Sequence, residues 1–387
     1  MRKRVPTIKD SRHLPFAPPP LDRALNSVHR FLIASASSRC SHRGARHRLG
    51  RGVEGCSPFG PAVDFVSSAF GCSKLVYPLL LRIHEVSTPE QISDWFSDPA
   101  AHRRMLDDKV RCEAFRRAIQ QMVEPGDTVV DLGAGTGLLS FFAVQAGARH
   151  VYAIEFSSIG DVAQELIELN GFRDKITLIR ANSKNVQLPE LADVLVSETM
   201  SSFCFDAENT IEFMADARDR FLKPGGKLIP QFAETFIVPV SSEAFGIGSF
   251  ADLQYDLRYA PFRKKLFSEV SLVRAYGLPL QQLSAPSVCH QIDFRTAVQN
   301  PGKTFLPFCI DSEGRLDGFL GWFKARLAEN VSIDNSPYSA PTCWWHTYFP
   351  TLEQTTVFPG QKILFELEPL NIEDQAHWSY CTRRLPK

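Results

Sequence analysis

The sequence predicts an α/β chain in two parts: a parallel sheet covered by helices on both faces, then a β-barrel-like domain. Three observations predict it. Between residues 127 and 230, short apolar runs alternate with helical patterns, which is how a sheet buried on both faces reads. Gly133, Gly135 and Gly137 stand at the first strand-to-helix turn. After Pro230 the alternation becomes that of antiparallel strands, as in ETFIVPV and QKILFELEPL, with turns at NPGK and FPGQ.

Residues 1–85 are rich in Arg, Ser and Pro, as in PFAPPP and RGARHRLGRG, and lack a sustained period. A disordered basic extension is expected there; an Arg- and Ser-rich, acid-poor start also fits an organelle transit peptide. Order is expected from STPEQISDWF, where Thr88 suits an N-cap and Pro89 the first helical position. A helix is predicted over about 100–122, its stripe being Ala101, Met105, Asp108, Cys112, Phe115, Ile119 and Met122 at spacings of three and four. Asp108 is the charged member of that stripe. Burying a carboxylate unpaired is costly, so Asp108 needs a partner or a cavity wall.

DTVVDLG then reads as a strand, GLLSFFAVQAG as a helix, HVYAIEF as a strand and DVAQELIELNG as a helix. ITLIRA and ADVLVSE read as strands, ENTIEFMADARDRFL as a helix, and PGGKLIP as a turn into a further strand. The expected domains are 86–230, Rossmann-like with N-terminal helices, and 231–387, β-barrel-like. Residues 244–275 look more helical and are read as an insertion into the barrel.

The chain is 44% hydrophobic and 22% charged, as in ordinary soluble globular proteins. Its nine cysteines are scattered without CxxC or His/Cys ligand spacing. A metal site is not expected, and a reducing compartment, the cytoplasm, is. LVYPLLL is too short to span a membrane. The formal net charge of zero hides an asymmetry: residues 1–60 hold 12 basic and 3 acidic residues, leaving the rest at −9. An acidic body disfavours nucleic acid and favours cationic partners.

The strongest motif is VVDLGAGTGLLS, which places Asp131, Gly133, Gly135 and Gly137 where a strand turns into a helix. Glycines let the backbone approach a ligand. Glu155 ends the next strand, 22 residues after Gly133, a spacing that suits an acid on ribose hydroxyls. An acid before the glycines suits S-adenosylmethionine better than a dinucleotide. That cofactor has no pyrophosphate to dock on a helix terminus; its α-amino group is a cation seeking an acceptor.

From about 95 to 370 the chain resembles the protein arginine methyltransferases. HRRMLDDKVR is similar to the family's HxxML-D-xxR helix, and DLGAGTGLLSFFAVQAGARHVYAIE to its cofactor block. SETM falls at the SExMG start of its double-glutamate loop, and TCWW at its THW loop; ARDRFLKPGGKLIP also sits in place. The resemblance implies that Arg111, with His102, contacts the cofactor carboxylate, that Met105 sits beside the transfer centre, and that Glu198 grips the target guanidinium. It also implies a homodimer, with the 244–275 insertion docking on a second subunit.

The departures are specific. The second loop glutamate should fall nine residues after Glu198, where Ala207 stands; Glu208 and Asp206 flank it. A one-residue insertion makes Glu208 the second carboxylate. The THW histidine, the usual partner of Asp108, is Cys343, with His346 three residues on. Lys184 replaces the glutamate on the adenine edge, and Trp95 and Phe96 stand in place of the tyrosines of YFxxY.

A guanidinium stays protonated at any cellular pH, and carboxylates match its planar donors. Carboxylates also offset repulsion between that cation and a sulfonium donor. The reaction read here is methyl transfer from S-adenosylmethionine to a guanidino nitrogen, of protein arginine first. A small-molecule acceptor such as free arginine or an amine is the alternative, and a non-catalytic cofactor-binding interaction protein a second. The strand-four position reads SETM rather than a (D/N/S)PP(Y/F/W) loop, which disfavours base methylation.

Overall fold

The structure is a computed structural model that describes residues 96–205, 210–244, 253–268, 270–372 and 375–385. The 1–85 extension and the helix start at Thr88 and Pro89 lie outside the described residues, as do Trp95, Asp206, Ala207 and Glu208.

Asp98 caps the first described helix, α1 (Pro99–Asp107), accepting from the Ala100 amide at 2.9 Å. One helix was expected over 100–122. The chain instead forms two, α1 and α2 (Lys109–Met122), broken at Asp108. Asp108 is extended (φ −76°, ψ 91°) and its Oδ1 accepts from the Arg111 amide at 2.9 Å. Periodicity carries across the break because an aspartate can close one helix turn and cap the next.

Five strands make the parallel sheet: β1 (Thr128–Leu132), β2 (His150–Ile154), β3 (Ile176–Ile179), β4 (Ala192–Ser197) and β5 (Leu222–Ile229). Their order is β3-β2-β1-β4-β5. Every residue of β1 is buried, as expected of a central strand covered on both faces. Helices α3 (Leu138–Ala146), α4 (Ile159–Leu169) and α5 (Thr210–Phe221) supply cover. The strand order reverses between β1 and β4, and open sheets of this kind bind ligands beyond the carboxyl ends at that point.

Two antiparallel sheets follow. The larger runs β10 (Gln281–Gln282), β6 (Phe232–Ser241), β13 (Gly314–Ala328), β15 (His346–Val357) and β9 (Ser271–Val273); β11 (Ser287–Asp293) pairs with β6 and β14 (Val331–Asp334) with β13. The smaller is β12 (Thr304–Cys309), β16 (Lys362–Ile372) and β17 (Gln375–Leu385). Phe308, Phe319, Phe349, Phe365 and Trp378 interlock in the barrel-like core.

The helical reading of 244–275 is corrected over its described part. It holds a hairpin of β7 (Leu253–Gln254) and β8 (Leu257–Arg258), the short helix α6 (Ala260–Leu266), and β9. Tyr255 and Asp256 are left-handed (φ 52° and 61°), the backbone of a two-residue hairpin turn.

Helix α2 packs on α3 and β5 and also on β13 and β14. Its buried Ala114, Phe115, Ala118 and Ile119 join one core spanning both parts. This seat brings Asp108 and Arg111 to the loops of the parallel sheet.

Candidate active site

Gly133 follows β1, Glu155 follows β2 and Glu198 follows β4, so all three lie at the carboxyl edge of the sheet. Gly133, Gly135 and Gly137 are left-handed, at φ 72°, 56° and 82°. A Cβ on Gly133 would come within 2.9 Å of Thr199 Cγ2, and one on Gly135 within 3.1 Å of His102 Cε1. The loop therefore needs glycine for both conformation and space.

Glu155 is buried and gathers this loop. Its Oε2 accepts from the Gly135 amide at 2.8 Å, and its Oε1 from the Ser157 amide and hydroxyl at 2.7 Å each. His102 Nε2 donates to the Phe96 carbonyl at 2.7 Å, which turns the rest of the ring toward Gly135. Asp131 is fully buried; its Oδ2 accepts from the Ser140 hydroxyl at 2.6 Å, and its Oδ1 has no hydrogen-bond partner among the described residues. Burial pushes the Asp131 pKa up to about 6, with Ser140 opposing. An orphan carboxylate oxygen, an anchored acid and close-approach glycines fit a ligand with an ammonium and a ribose, as S-adenosylmethionine has.

Arg111 and Glu198 are brought together. Arg111 Nε donates to Glu198 Oε2 at 2.5 Å, and Nη2 reaches the same oxygen. Both side chains are buried. Glu198 Oε1 accepts weakly from the Met200 amide at 3.3 Å. Burial works against the charge on Arg111, but Glu198 outweighs it and holds the guanidinium above its ordinary value. Burial raises the Glu198 pKa, with Arg111 opposing. A guanidinium does not release its proton, so the pair is ionic.

Met105 lies next to this pair through its carbonyl, which accepts from Arg111 Nη1 at 3.4 Å and Cys112 Sγ at 3.3 Å. Glu208 and Asp206 are outside the described residues. Lys184 is exposed on the 3₁₀ turn Ser183–Asn185.

Asp108 does not lack a partner after all. Its Oδ2 accepts from the Cys343 backbone amide at 2.6 Å. His346 does not take the role of the missing histidine: it is buried at the start of β15, where its Nδ1 accepts from the Ala275 amide at 3.2 Å. Sequence reasoning weighed side chains at 343 and missed the amide, which every residue but proline carries. It also missed Trp344, whose Nε1 donates to the Met200 carbonyl at 2.7 Å and pins the segment after Glu198. Phe203 and Phe205, both fully buried, anchor that segment against Trp378 and His290. Ser140 and Ser157 were missed too, since nothing in their neighbours marks them as partners of acids.

A profile of the ribosomal protein L11 methyltransferase (PrmA) family matches residues 116–230. Protein arginine N-methyltransferase 6 of Xenopus laevis is 30% identical over 283 residues, covering 69% of this chain and 82% of that protein. Protein arginine N-methyltransferase 1 of Schizosaccharomyces pombe is 31% identical over 283 residues, covering 70% and 82%. Among solved structures, the Trypanosoma brucei PRMT1 enzyme-prozyme heterotetrameric complex with AdoHcy aligns with a TM-score of 0.66 at 23% identity, covering 75% of this chain and 99% of that one. Arabidopsis thaliana protein arginine methyltransferase 10 aligns at 0.63 and 23%, covering 76% and 99%. With relatives at least 30% identical over more than two thirds of its length, the chain belongs to the protein arginine N-methyltransferase family, whose members are S-adenosylmethionine-dependent methyltransferases.

Proposed function

We propose that this protein methylates a guanidino nitrogen of arginine in a protein acceptor, and that Glu198 holds the acceptor. One observation carries the assignment of Glu198: a guanidinium, that of Arg111, already lies on its carboxylate with both side chains buried. That pair supports a role for Glu198 in holding the planar cation the reaction needs. Asp131, Glu155 and the glycine loop would hold the cofactor, with His102 beside them. S-adenosylmethionine supplies an electrophilic methyl group when bound. Arg111 would then hold the cofactor carboxylate, leaving Glu198 free for the acceptor. Glu198 gathers positive charge onto the nitrogens it holds and leaves the far nitrogen able to attack. Glu208 is the proposed second carboxylate, and Met105 the neighbour of the transfer centre.

The proposed assembly is a homodimer. Tyr255, Leu257 and Phe262 are exposed on the insertion. A groove of about 660 Å³ runs along α2, lined by Val110, Glu113, Arg116 and Phe142 among others, and would receive them on a second copy. The proposed location is the cytoplasm.

The test is to incubate the purified protein with methyl-labelled cofactor and either arginine peptides or free arginine. Label is expected in the peptide. Glu198→Gln should keep cofactor affinity by calorimetry and lose roughly 100-fold or more in turnover, the scale of one preorganised electrostatic contact. Wild-type turnover by that variant would remove Glu198 from the mechanism, and label in free arginine alone would move the acceptor to small molecules.

A further inference from the structure

Arg274 follows β9 on the surface beside the 341–345 loop. Its Nη2 donates to the Thr342 carbonyl at 3.1 Å. Its guanidinium carbon lies 5.7 Å from the Tyr276 ring centroid and 5.9 Å from that of Trp345. The flanking rings are themselves held or presented. The Tyr276 hydroxyl lies 2.8 Å from Thr342 Oγ1, and its ring meets His346 edge-on at 4.6 Å. Trp345 is 41% exposed.

Arg116, Arg149, Arg173, Arg180, Arg220 and Arg295 each rest on a carboxylate. Arg274 has no carboxylate partner among the described residues. It is a cation fixed at one nitrogen and braced by two rings, its other donors without a partner among the described residues. An arginine held this way loses less freedom on binding, and its planar fork matches a carboxylate.

Its place is informative. The loop that anchors Arg274 at Thr342 is tied to Asp108 through the Cys343 amide and to Met200 through Trp344. Met200 is two residues after Glu198. One short loop therefore links this cation to the carboxylate proposed to hold the acceptor guanidinium.

We infer that Arg274, with Tyr276 and Trp345, is an acceptor subsite that takes a carboxylate belonging to the same molecule whose guanidinium sits on Glu198. The inference rests on the acceptor reading above. It selects acceptors that carry an acid near the target arginine: an Asp or Glu in a peptide, or the α-carboxylate of free arginine.

The experiment uses the full chain, methyl-labelled cofactor and two peptides that differ only in flanking the target arginine with Glu or with Gln. Free arginine and its carboxamide form a second pair. The acid-flanked peptide is expected to show a KM about two- to fivefold lower than its neutral twin at low salt, the scale of a partly exposed ion pair. Arg274→Gln should erase that gap by raising KM for the acid-flanked peptide, and Arg274→Lys should restore part of it. A gap in the free-arginine pair instead assigns the α-carboxylate. A merely structural Arg274 would shift both members of each pair equally. Calorimetric binding of the same four probes reads the subsite without turnover. Arg274-dependent acid selectivity in binding with no methylation would refute the acceptor chemistry alone. No selectivity in either pair, or selectivity that survives Arg274→Gln, overturns the subsite.

Discussion

Asp108 shows how one side chain can organise a site without touching substrate. It accepts from the Arg111 and Cys343 amides, so it sets the start of α2 and the seat of the 341–345 loop together. Asp108→Ala leaves both buried amides unpaired. The expected cost is about 2–4 kcal/mol, one unmade hydrogen bond at each end, read as a lower denaturant midpoint. A change below about 0.5 kcal/mol would mean that water replaces the carboxylate without loss.

Two buried histidines set the acid limit. Burial pushes His290 and His346 down to about 4. The unfolded chain binds their protons from about 6.5. Between those values the unfolded state therefore takes up more protons, so stability is full above about pH 6.5 and falls as the pH drops toward 4. Asp131, raised to about 6, works the other way: its contribution is present below about 4 and lost as pH rises through 6. Each histidine contributes at most about 3 kcal/mol to the loss on acidification, opposed by Asp131 and by Glu198, whose pKa burial also raises. His290→Gln retains a partner for Thr235, which lies 3.0 Å from His290 Nδ1. Melting curves from pH 7 to 4.5 should be flatter for this variant; parallel curves would exclude His290 as a source.

At the scale of elements, the glycine loop is a joint between β1, β2 and α1. The Gly135 amide reaches Glu155 while its open face meets His102. Gly135→Ala places a Cβ at φ 56°, 3.1 Å from the ring. Left-handed backbone costs a non-glycine residue about 1–2 kcal/mol. The variant is expected to fold with an unchanged far-ultraviolet spectrum and to bind S-adenosylhomocysteine about five- to thirtyfold more weakly, the same energy expressed as affinity. Equal affinity would show that the loop does not carry the cofactor.

At the scale of the molecule, one core runs from the parallel sheet through α2 into the antiparallel sheets. The insertion joins it through Val270 and through β9, and its hairpin carries exposed apolar residues: Tyr255 is 91% and Leu257 60% exposed. A second copy covering them should give light-scattering masses near twice the 43.4 kDa chain. Leu257→Lys should shift that mass toward the monomer at micromolar concentration, without a lower melting temperature. A monomeric wild type would leave those tips for another partner.

The sequence by itself determined the parallel sheet, the glycine loop, the acids Asp131 and Glu155, and the place of Glu198 at a strand end. Each is written in local pattern: apolar runs of strand length, glycines where the backbone turns left-handed, an acid at a fixed distance from the loop. It also marked Asp108 as a carboxylate needing a partner. Only the tertiary structure decided which partner. The donor is a backbone amide 235 residues away, and an amide leaves no mark in the identity of Cys343. The helix break at Asp108 was hidden for a related reason, since a stripe at spacings of three and four survives when a capping aspartate splits it. The meeting of Arg111 with Glu198, 87 residues apart, also needed the fold. Periodicity tells which face of an element is buried; which face it meets depends on how α2 is wedged between two sheets, and that packing is long-range.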